Sequence, residues 1–595
     1  IQNRSGVLRQ SRSDAPYQQR PTRKLAFPRF SAKLAALKHL AGQILLRSRY
    51  PLAIVAGLLL AAAFLEIGLA GLAWVAPAFI LAAAHGKTGG DAFRIGYVAG
   101  LAHYLASLYW LLLIPVRGYP ILGLVSVSAY LALYPAVWVW LLSGKVGVGS
   151  WARRTAWSLS GAAIWVALEM VVGRLLSGFP WNLIGTSQYR MLPLIQIASV
   201  AGVYGVSFLV VWVSLSIFSA VLAILRQPTV RHAWLGEIIL PLAALVAVFI
   251  FGFGKLREPI SDGPTLRVTF VQPSIPQTMI WNEKENDNRF RQLLELTTQA
   301  LTNKTDLLLW PEAAVPKMIR YDEETFRAIT GLARSNRVWM IIGSDDAERR
   351  VGSTNPDDGD YFNSSFLVSP GGQLANLYHK RHLVMFGEFI PLIRWLPFVK
   401  WFTPITGGFT SGDKLVPFEM EVGVQALAWP GNTLKRELQQ AGSVLGAPIK
   451  TATLICFEDV FPQLVREYAD DDTDFLVNLT NDGWFGEGAE QWQHAASAVF
   501  RSVENGLPLV RCCNNGLTCW IDSRGRLREI FRDKTGSVYG AGVMTARIPV
   551  LAPGENRPRT FYNEHGDWFG WLCVVLAALV VLTRLKYPRR KSATV

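Results

Sequence analysis

Three residues of types that combine in acyl chemistry follow apolar runs that predict β-strands. Glu312 follows LLLW, Lys380 ends LYHK, and Cys456 lies in ICFED at the exit of an apolar run. A thiol must lose its proton before it attacks a carbonyl carbon, and a neighbouring carboxylate can accept that proton. A lysine ammonium can stabilise the oxyanion that forms. Because α/β folds place their sites at strand ends, these residues are candidates for base, oxyanion support and nucleophile.

Each of these residues also has an ordinary structural explanation. A cysteine at the end of an apolar strand is most often part of the core. A glutamate after Trp-Pro is usually a solvated turn residue, and a lysine in a basic loop usually lies on the surface. Taken singly, none of the three indicates a function, so the segments that carry them must decide.

The composition indicates a protein that meets two solvents. The 595 residues are 51% apolar and 17% charged, with 21 tryptophans, and this length predicts at least two domains. Acidic residues are almost absent from residues 51–254, whereas residues 262–565 have the composition of a soluble domain. A membrane part and a soluble part are therefore expected.

The net charge of +15 does not predict a nucleic-acid partner. Basic residues cluster in the two tails and in short loops between apolar runs, and they form no stripe interleaved with aromatic residues. This distribution fits anionic lipid headgroups and orientation in a bilayer. The five cysteines form no CxxC pair and no metal-ligand spacing, so neither a disulfide framework, a metal nor another cofactor is expected.

Eight apolar segments predict a polytopic helical bundle, each segment being near the ~20 residues that cross the hydrocarbon core. They cover residues 51–65, 67–84, 95–115, 120–142, 155–174, 194–225, 235–254 and 567–583. Glu66 and Gly68 mark the junction of the first two, where a tight hairpin competes with one long kinked helix. With the hairpin, most basic loops fall on the cytoplasmic side, as the positive-inside rule requires.

The same assignment places the other segments. Residues 1–50 are expected to form a basic, partly disordered tail that ends in an interfacial helix. Residues 51–254 contain seven spans, residues 255–566 form an extracytoplasmic domain, and residues 567–583 return the chain to the cytoplasm. Residues 584–595 are then a basic cytoplasmic tail.

The extracytoplasmic segment alternates predicted strands and helices, which indicates an α/β sandwich. Strands are predicted at residues 266–272, 306–310, 338–344, 363–369, 373–380, 451–457, 474–480 and 507–513. Helices are predicted at residues 284–302, 323–335, 460–469 and 488–504.

Longer strings around the three candidate residues resemble one family. WPE, YHKRHLVMFGEFIP, ICFED, NLTNDGWFG with a following QWQH, and the upstream VQPSIPQTMIW are similar to the apolipoprotein N-acyltransferase branch of the nitrilase superfamily. In the membrane part, SGFPWNLIGTSQ (177–188) is similar to the extracellular-face loop of that family. The resemblance covers roughly residues 50–585. A soluble nitrilase would account for the three residues but not for the membrane motif or the spans.

The resemblance implies that the outer domain is a nitrilase-like αββα sandwich and that individual residues have roles. Glu312 would be the general base, Lys380 the oxyanion and positioning residue, and Cys456 the nucleophile. Glu388 in FGEF matches a second glutamate held close to the site. Positions that would line or brace the pocket are Trp281, Phe457, Glu458, Asn481 and Trp484. Among these, Phe457 stands where the family frequently has tyrosine.

The resemblance also implies a ping-pong acyl transfer at a bacterial inner membrane. The Cys456 thiolate would take an acyl chain from a phospholipid, and the α-amine of the N-terminal diacylglyceryl-cysteine of an apolipoprotein would accept it. The enzyme would be a multi-pass monomer with its catalytic domain on the periplasmic side. The aromatic run 392–409 either forms a hinged lid at the interface or packs the domain onto the bundle.

Two other function classes compete with this interpretation. A membrane-tethered amidase or nitrilase would use the same three residues on a small C–N substrate, but it gives the apolar spans no chemical task. A non-enzymatic binding or transport protein would use the outer domain only as a receptor, and its function would not depend on Cys456.

Overall fold

The structure, a computed structural model, describes residues 49–586 apart from internal gaps. The gaps are residues 67, 117, 144–149, 227–233, 260–262, 281, 351–358, 392, 394, 396–398, 400–407, 423–447 and 553. The predicted N-terminal tail, nearly all of its interfacial helix, Trp281, most of the aromatic run 392–409 and most of the C-terminal tail therefore lie outside the described residues.

Helices α1 to α9 form the part of the chain that is predicted to lie in the membrane. They span Arg49–Ala62, Ala76–Ala83, Gly89–Ser107, Tyr119–Leu131, Leu133–Leu142, Trp151–Val172, Leu192–Ile195, Ala198–Arg226 and Leu235–Arg257. Small residues let these helices approach closely, as is common in membranes. A Cβ atom on Gly57 of α1 would lie only 2.1 Å from the carbonyl oxygen of Ala99 in α3.

Within the described ranges, four helical segments are long and apolar enough to cross a membrane. They are Tyr119–Leu142, Trp151–Val172, Ala198–Arg226 and Leu235–Arg257. The count of eight full spans is not confirmed. α1 has 14 residues and α2 has 8, and at about 1.5 Å per residue neither reaches across a hydrocarbon core of ~30 Å. Apolar sequence continues beyond the ends of these helices, so composition overestimated their length.

The junction between the first two predicted spans is a hairpin. The chain leaves the helical conformation after Ala62, and α2 packs back against α1. Gly68 has a φ of +67°, a left-handed conformation that glycine adopts without steric cost, and the 3₁₀ turn Ala70–Trp74 leads into α2. The alternative of one long kinked helix is therefore wrong.

Beyond α9, the described residues contain twelve strands in two six-stranded sheets. Strands β1 to β12 span Thr265–Gln272, Leu307–Leu309, Trp339–Arg349, Gly359–Val368, Leu374–His379, Pro417–Glu421, Pro448–Ile455, Phe475–Thr480, Leu509–Cys513, Cys519–Ile521, Leu527–Ile530 and Gly542–Pro549. The order is β12-β1-β2-β3-β4-β5 in one sheet and β11-β10-β9-β8-β7-β6 in the other. All eight predicted strands are confirmed. The four that the sequence missed lie at or next to sheet edges.

Helices cover the outer faces of the two sheets. Helices α10 to α16 span Gln277–Ile280, Asn286–Ala300, Glu323–Asn336, Pro462–Glu467, Ala489–Asn505, Phe561–His565 and Trp568–Lys586. The last of these, α16, lies at the eighth predicted span and packs against α6 and α8 of the bundle instead of against a sheet. In β2, Leu307 and Leu309 belong to the core that includes both sheets, whereas Leu308 belongs to the core beneath α11 and α12. This alternation matches the two-residue period of a strand with both faces buried. The arrangement is the predicted αββα sandwich.

The sheet topology brings the candidate residues to one edge of the sandwich. Strands β1, β2 and β3 are parallel, and so are β7, β8 and β9. Parallel strands end at the same edge of a sheet. Glu312 follows β2, Cys456 follows β7 and Asn481 follows β8, so strand direction alone places all three at strand exits.

Helix α14 joins the sandwich to the helical bundle. All of its residues except Trp492 are buried. The side-chain amide of Gln493 bonds to four residues of the bundle, accepting from two tryptophan N–H groups at 3.1 and 2.7 Å and donating to two carbonyl oxygens at 3.1 Å each. These partners are Trp110, Trp181, Phe64 and Ser107. The same helix therefore supports the site and anchors the bundle.

Candidate active site

Cys456 begins a tight turn directly after β7. It has a φ of +53°, a left-handed conformation that costs a non-glycine residue roughly 1–2 kcal/mol, and it opens the 3₁₀ turn Cys456–Val460. Its carbonyl oxygen accepts hydrogen bonds from Asn478 Nδ2 and His494 Nε2, each at 3.2 Å. These two bonds hold the backbone of the turn in its strained conformation.

Lys380 lies almost completely buried between two carboxylates. Its Nζ donates to Glu388 Oε1 at 2.8 Å and approaches Glu312 Oε1 at 3.4 Å. Burial lowers the pKa of Lys380, but the charges of Glu388 and Glu312 outweigh burial and raise the pKa above its usual value. Lys380 is therefore a fixed cation.

Asn363 joins the two carboxylates that surround Lys380. Its Nδ2 donates to Glu312 Oε1 at 2.8 Å and to Glu388 Oε1 at 3.0 Å. The second oxygen of Glu388 accepts from the backbone N–H of Val384 at 2.8 Å. Glu388, predicted from FGEF, is thus part of the cluster and orients both Lys380 and the shared amide.

The Cys456 thiol needs a neighbouring base in order to react. Burial raises the pKa of Cys456 well above its usual value, the negative charge of Glu312 raises it further, and Lys380 partly opposes the rise. A thiol with a raised pKa is protonated at neutral pH. Attack on a carbonyl carbon therefore requires that a neighbouring group take the proton as the new bond forms.

Glu458 ties the loop after Lys380 to the turn of Cys456. Its carboxylate accepts from the hydroxyl of Tyr378 at 2.8 and 2.9 Å and from the backbone N–H groups of Arg381, His382 and Ile455 at 2.8, 3.0 and 2.7 Å. These bonds join the exits of β5 and β7. The carboxylate thereby fixes the loop that carries the ammonium relative to the turn that carries the thiol.

A buried ionic network lies behind the turn of Cys456. His494 is 2.9 Å from Asp482 through Nδ1 and 2.9 Å from Asp459 through Nε2, and Arg511 contacts the same aspartates at 2.5 Å (Asp459) and 3.3 Å (Asp482). Burial lowers the pKa of His494, but Asp459 and Asp482 outweigh it and raise the pKa to about 10. His494 is consequently a protonated group that also holds the Cys456 carbonyl.

Phe457 faces the bundle. Its ring lies 6.0 Å from Phe179, 6.1 Å from Trp181 and 5.0 Å from Phe461, measured between centroids. Phe179 and Trp181 belong to the membrane-part motif at 177–188. The residue after the candidate nucleophile thus packs into an aromatic cluster, where phenylalanine leaves no hydroxyl without a hydrogen-bond partner.

Two further predicted pocket residues, Asn481 and Trp484, lie just after β8. Asn481 is buried; it donates to Gln277 Oε1 at 3.0 Å and accepts from Asn514 Nδ2 at 2.9 Å. It therefore braces the turn after β8. Trp484 lies half-buried in that turn, the 3₁₀ segment Asp482–Phe485.

Two clusters in the described part of the chain have metal-ligating side chains within reach of one another. They are Asp346 with Glu348 and His379, and Asp482 with Glu490 and His494. In each cluster an arginine already pairs with an aspartate, since Arg320 contacts Asp346 at 2.5 Å and Arg511 contacts Asp482 at 3.3 Å. Internal ion pairs therefore account for both clusters.

Comparisons with known proteins agree with the fold and the motifs. Residues 56–216 match the family model of the apolipoprotein N-acyltransferase N-terminal domain, and residues 267–544 match that of carbon-nitrogen hydrolase. An apolipoprotein N-acyltransferase of Geobacter metallireducens is 34% identical over 92% of this chain and 96% of its own length. This chain belongs to the apolipoprotein N-acyltransferase family.

Further similar proteins are more distant. An apolipoprotein N-acyltransferase of Chlorobaculum tepidum is 27% identical over 90% of this chain and 97% of its own length. A solved structure from Saccharomyces cerevisiae, a member of branch 10 of the nitrilase superfamily, covers 56% of this chain and 99% of its own, at 14% identity and a TM-score of 0.32.

For this member of the apolipoprotein N-acyltransferase family, sequence reasoning missed several residues that build the site. Asn363 is the first residue of a predicted strand and is followed by Ser364 and Ser365, so its bridge between two carboxylates gave no sequence signal. Asp459, Asp482 and His494 lie within the quoted strings ICFED, NLTNDGWFG and QWQH. The strings were recognised, but the network that their side chains form was not.

The buried imidazolium predicts a pH-dependent stability. Because the pKa of His494 is raised to about 10 in the folded chain, its stabilising effect is complete below about pH 6.5 and is lost as the pH rises through about 10. His494→Gln should therefore lower the thermal unfolding midpoint at neutral pH, and the gap to wild type should shrink as the pH approaches 10. The matched control is the exposed His565→Gln, which should show no gap. A gap for His494→Gln that stays constant with pH would contradict the assignment.

Proposed function

We propose that this chain transfers an acyl chain from a phospholipid, through a thioester on Cys456, to the α-amine of the N-terminal diacylglyceryl-cysteine of apolipoproteins. This transfer would be the last step of lipoprotein maturation. The observation that carries the proposal is the position of Cys456. Its thiol lies near the buried Glu312–Lys380–Glu388 cluster, while the next residue, Phe457, packs on the membrane-part loop. An enzyme that acts on a soluble substrate would not need its nucleophile beside the membrane part.

The first half of the reaction forms the thioester. Glu312 accepts the proton of the Cys456 thiol as the sulfur attacks the ester carbonyl carbon of the phospholipid. Lys380 stabilises the oxyanion, a contribution of roughly 2.7–4 kcal/mol for one such donor. The carbon–oxygen bond of the ester then breaks, and the lysophospholipid oxygen takes the proton from Glu312.

The second half of the reaction regenerates the thiol. The α-amine of the diacylated apolipoprotein attacks the thioester carbonyl carbon, and Glu312 accepts one of its protons. The carbon–sulfur bond breaks as the amide forms, and the departing sulfur recovers the proton. No cofactor or metal takes part in this scheme.

We also propose a topology for the reaction. Charge asymmetry of the loops favours a cytoplasmic N-terminus and C-terminal tail, with an even number of crossings of a bacterial inner membrane and residues 255–566 on the periplasmic side. The four long apolar helices support a membrane location, and the short α1 and α2 would then form a shallow hairpin rather than full spans. The chain would act as a monomer.

A transfer assay tests the proposal. Purified full-length protein should move a labelled acyl chain from phospholipid to the N-terminus of a synthetic diacylated lipopeptide. Release of the label only to water, or cleavage of a small amide without transfer, would favour a membrane-tethered amidase. Binding of the lipopeptide without any change to it would favour a receptor.

The same assay tests the assigned base. Glu312→Gln keeps the size of the side chain and the hydrogen-bonding capacity towards Lys380 but cannot accept the thiol proton, so the rate of Cys456 acylation should fall roughly 10²–10⁴-fold. The matched control is Glu323→Gln in α12, an exposed carboxylate that should keep the wild-type rate when it is replaced. A normal acylation rate in Glu312→Gln would rule out the base role.

A further inference from the structure

A cavity lies where α14 meets the bundle, and the catalytic scheme does not use it. Its volume is about 290 Å³. The loop after α1 forms one wall, the segment 186–191 forms another, and Trp492 and Gln493 of α14 form a third. Helix ends and loops surround it, and aromatic residues are part of its lining, as is typical of the headgroup level of a membrane protein.

Two opposite charges line this cavity without pairing with each other. Arg190 donates from Nε to the hydroxyl of Tyr189 at 2.8 Å, and its guanidinium lies 5.5 Å from the ring centroid of Trp492. Glu66 lines the same cavity and is exposed. Among the described residues, neither charge has an ion-pair partner. The terminal nitrogens of Arg190 and the carboxylate of Glu66 are therefore available to a ligand.

The cavity wall is shaped around the guanidinium. Gly68 has a φ of +67°, and a Cβ atom on it would lie 3.0 Å from a terminal nitrogen of Arg190. A side chain at this position would crowd the guanidinium and strain the backbone. Glycine at this position therefore leaves room for the guanidinium at the cavity wall.

Helix α14 links this cavity to the nucleophile through consecutive residues. Trp492 and Gln493 line the cavity, and Gln493 also binds the indole of Trp181 at 2.7 Å, whose ring stacks on Phe457. The next residue, His494, holds the carbonyl of Cys456 at 3.2 Å. A molecule held in the cavity is therefore fixed relative to the turn that carries the thiol.

We propose that the cavity between Glu66 and Arg190 binds the headgroup of the phospholipid acyl donor, with Arg190 on the phosphate and Glu66 on a primary ammonium group. This rests on the proposed function. A guanidinium is well suited to phosphate oxygens, and a carboxylate binds an ammonium through charge-assisted hydrogen bonds. A headgroup with a phosphate but no cation would leave Glu66 unpaired and would be bound less well.

The experiment measures acylation of Cys456 with two donors that share their acyl chains, one with a phosphoethanolamine and one with a phosphoglycerol headgroup. Wild type should prefer the first, and Glu66→Gln should reduce that preference roughly tenfold. Arg190→Gln should raise KM for both donors roughly tenfold with kcat unchanged, and Arg190→Lys, which keeps the charge but loses the planar guanidinium, should restore only part of the affinity. The control is Arg94→Gln, which removes an exposed charge near the start of α3. The end of this helix that contacts Gln493 is Ser107, so the control should change neither the headgroup preference nor KM.

An unchanged headgroup preference in Glu66→Gln, or an unchanged KM in Arg190→Gln, would overturn the headgroup site while wild type still forms the thioester. Failure of wild type to acylate Cys456 with either donor would instead overturn the proposed function. The folding of each variant is checked by its acylation rate at saturating donor, which a change confined to donor binding leaves at the wild-type value.

Discussion

Lys380→Met should abolish measurable acyl transfer and also destabilise the chain. The ammonium is almost fully buried, 2.8 Å from Glu388 and 3.4 Å from Glu312, so its removal leaves two neighbouring carboxylates without their counter-charge. Removing one partner of a buried ion pair costs roughly 3–5 kcal/mol, and loss of the oxyanion donor adds to the barrier of both half-reactions. Thermal unfolding and the acyl-transfer rate would be measured on the same preparation.

Lys414→Met provides the control for Lys380→Met. Lys414 is exposed, so the loss of its charge should change neither the rate nor the unfolding midpoint measurably. Stability and activity need not fall together, because any Lys380→Met protein that remains folded should still be inactive. Transfer at the wild-type rate by folded Lys380→Met would contradict the role of this residue.

Cys456→Ala should abolish transfer completely while the chain folds normally. Alanine keeps the backbone of the turn, whose carbonyl bonds to Asn478 and His494 do not involve the sulfur. Without the sulfur no thioester can form, and the remaining groups have no nucleophile to activate. Acyl transfer to the lipopeptide and retention of label on the protein would both be measured, and both should fall to background.

Cys573→Ala is the matched control, since it removes a buried thiol in α16 that no step of the scheme uses. It should keep the wild-type rate with at most a small loss of stability. Full acyl transfer by Cys456→Ala would contradict the role of Cys456 as the nucleophile.

Much of the sandwich could be predicted because strand patterns are local. The runs that lead to Glu312, Lys380 and Cys456 predicted the strands, with Glu312 after its strand and Lys380 and Cys456 at the ends of theirs. In the structure the last two of these strands end one residue before the candidate residue, at His379 and Ile455. Edge strands such as β11 pack against fewer apolar residues. Their sequence therefore carries a weaker pattern, and they were missed.

The membrane part shows where local reasoning ends. Apolar composition marks the segments that avoid water, but it does not fix where a helix begins. In residues 67–84, Gly68 takes a left-handed conformation, and the helix begins only at Ala76 with Pro77 in its first turn. A full-length span was predicted there, and the structure has an eight-residue helix.

The parts of the site that the sequence could not predict depend on contacts between distant segments. Asn363 matters because β4 places its amide between Glu312 and Glu388, which come from two other loops. His494 matters because α14 packs against the exit of β7. Neither pairing has a fixed spacing along the chain, so no pattern of residue types reports it.

The most direct test of the account is mass spectrometry of the wild-type protein isolated from membranes, applied to the peptide that contains Cys456. The account predicts a fraction of this peptide that carries the mass of a fatty acyl chain, that loses it on treatment with hydroxylamine as a thioester does, and that loses it when a diacylated lipopeptide is added. A Cys456 peptide that carries no acyl mass when phospholipid is present and lipopeptide is absent, in protein that acylates lipopeptide once it is added, would contradict the account.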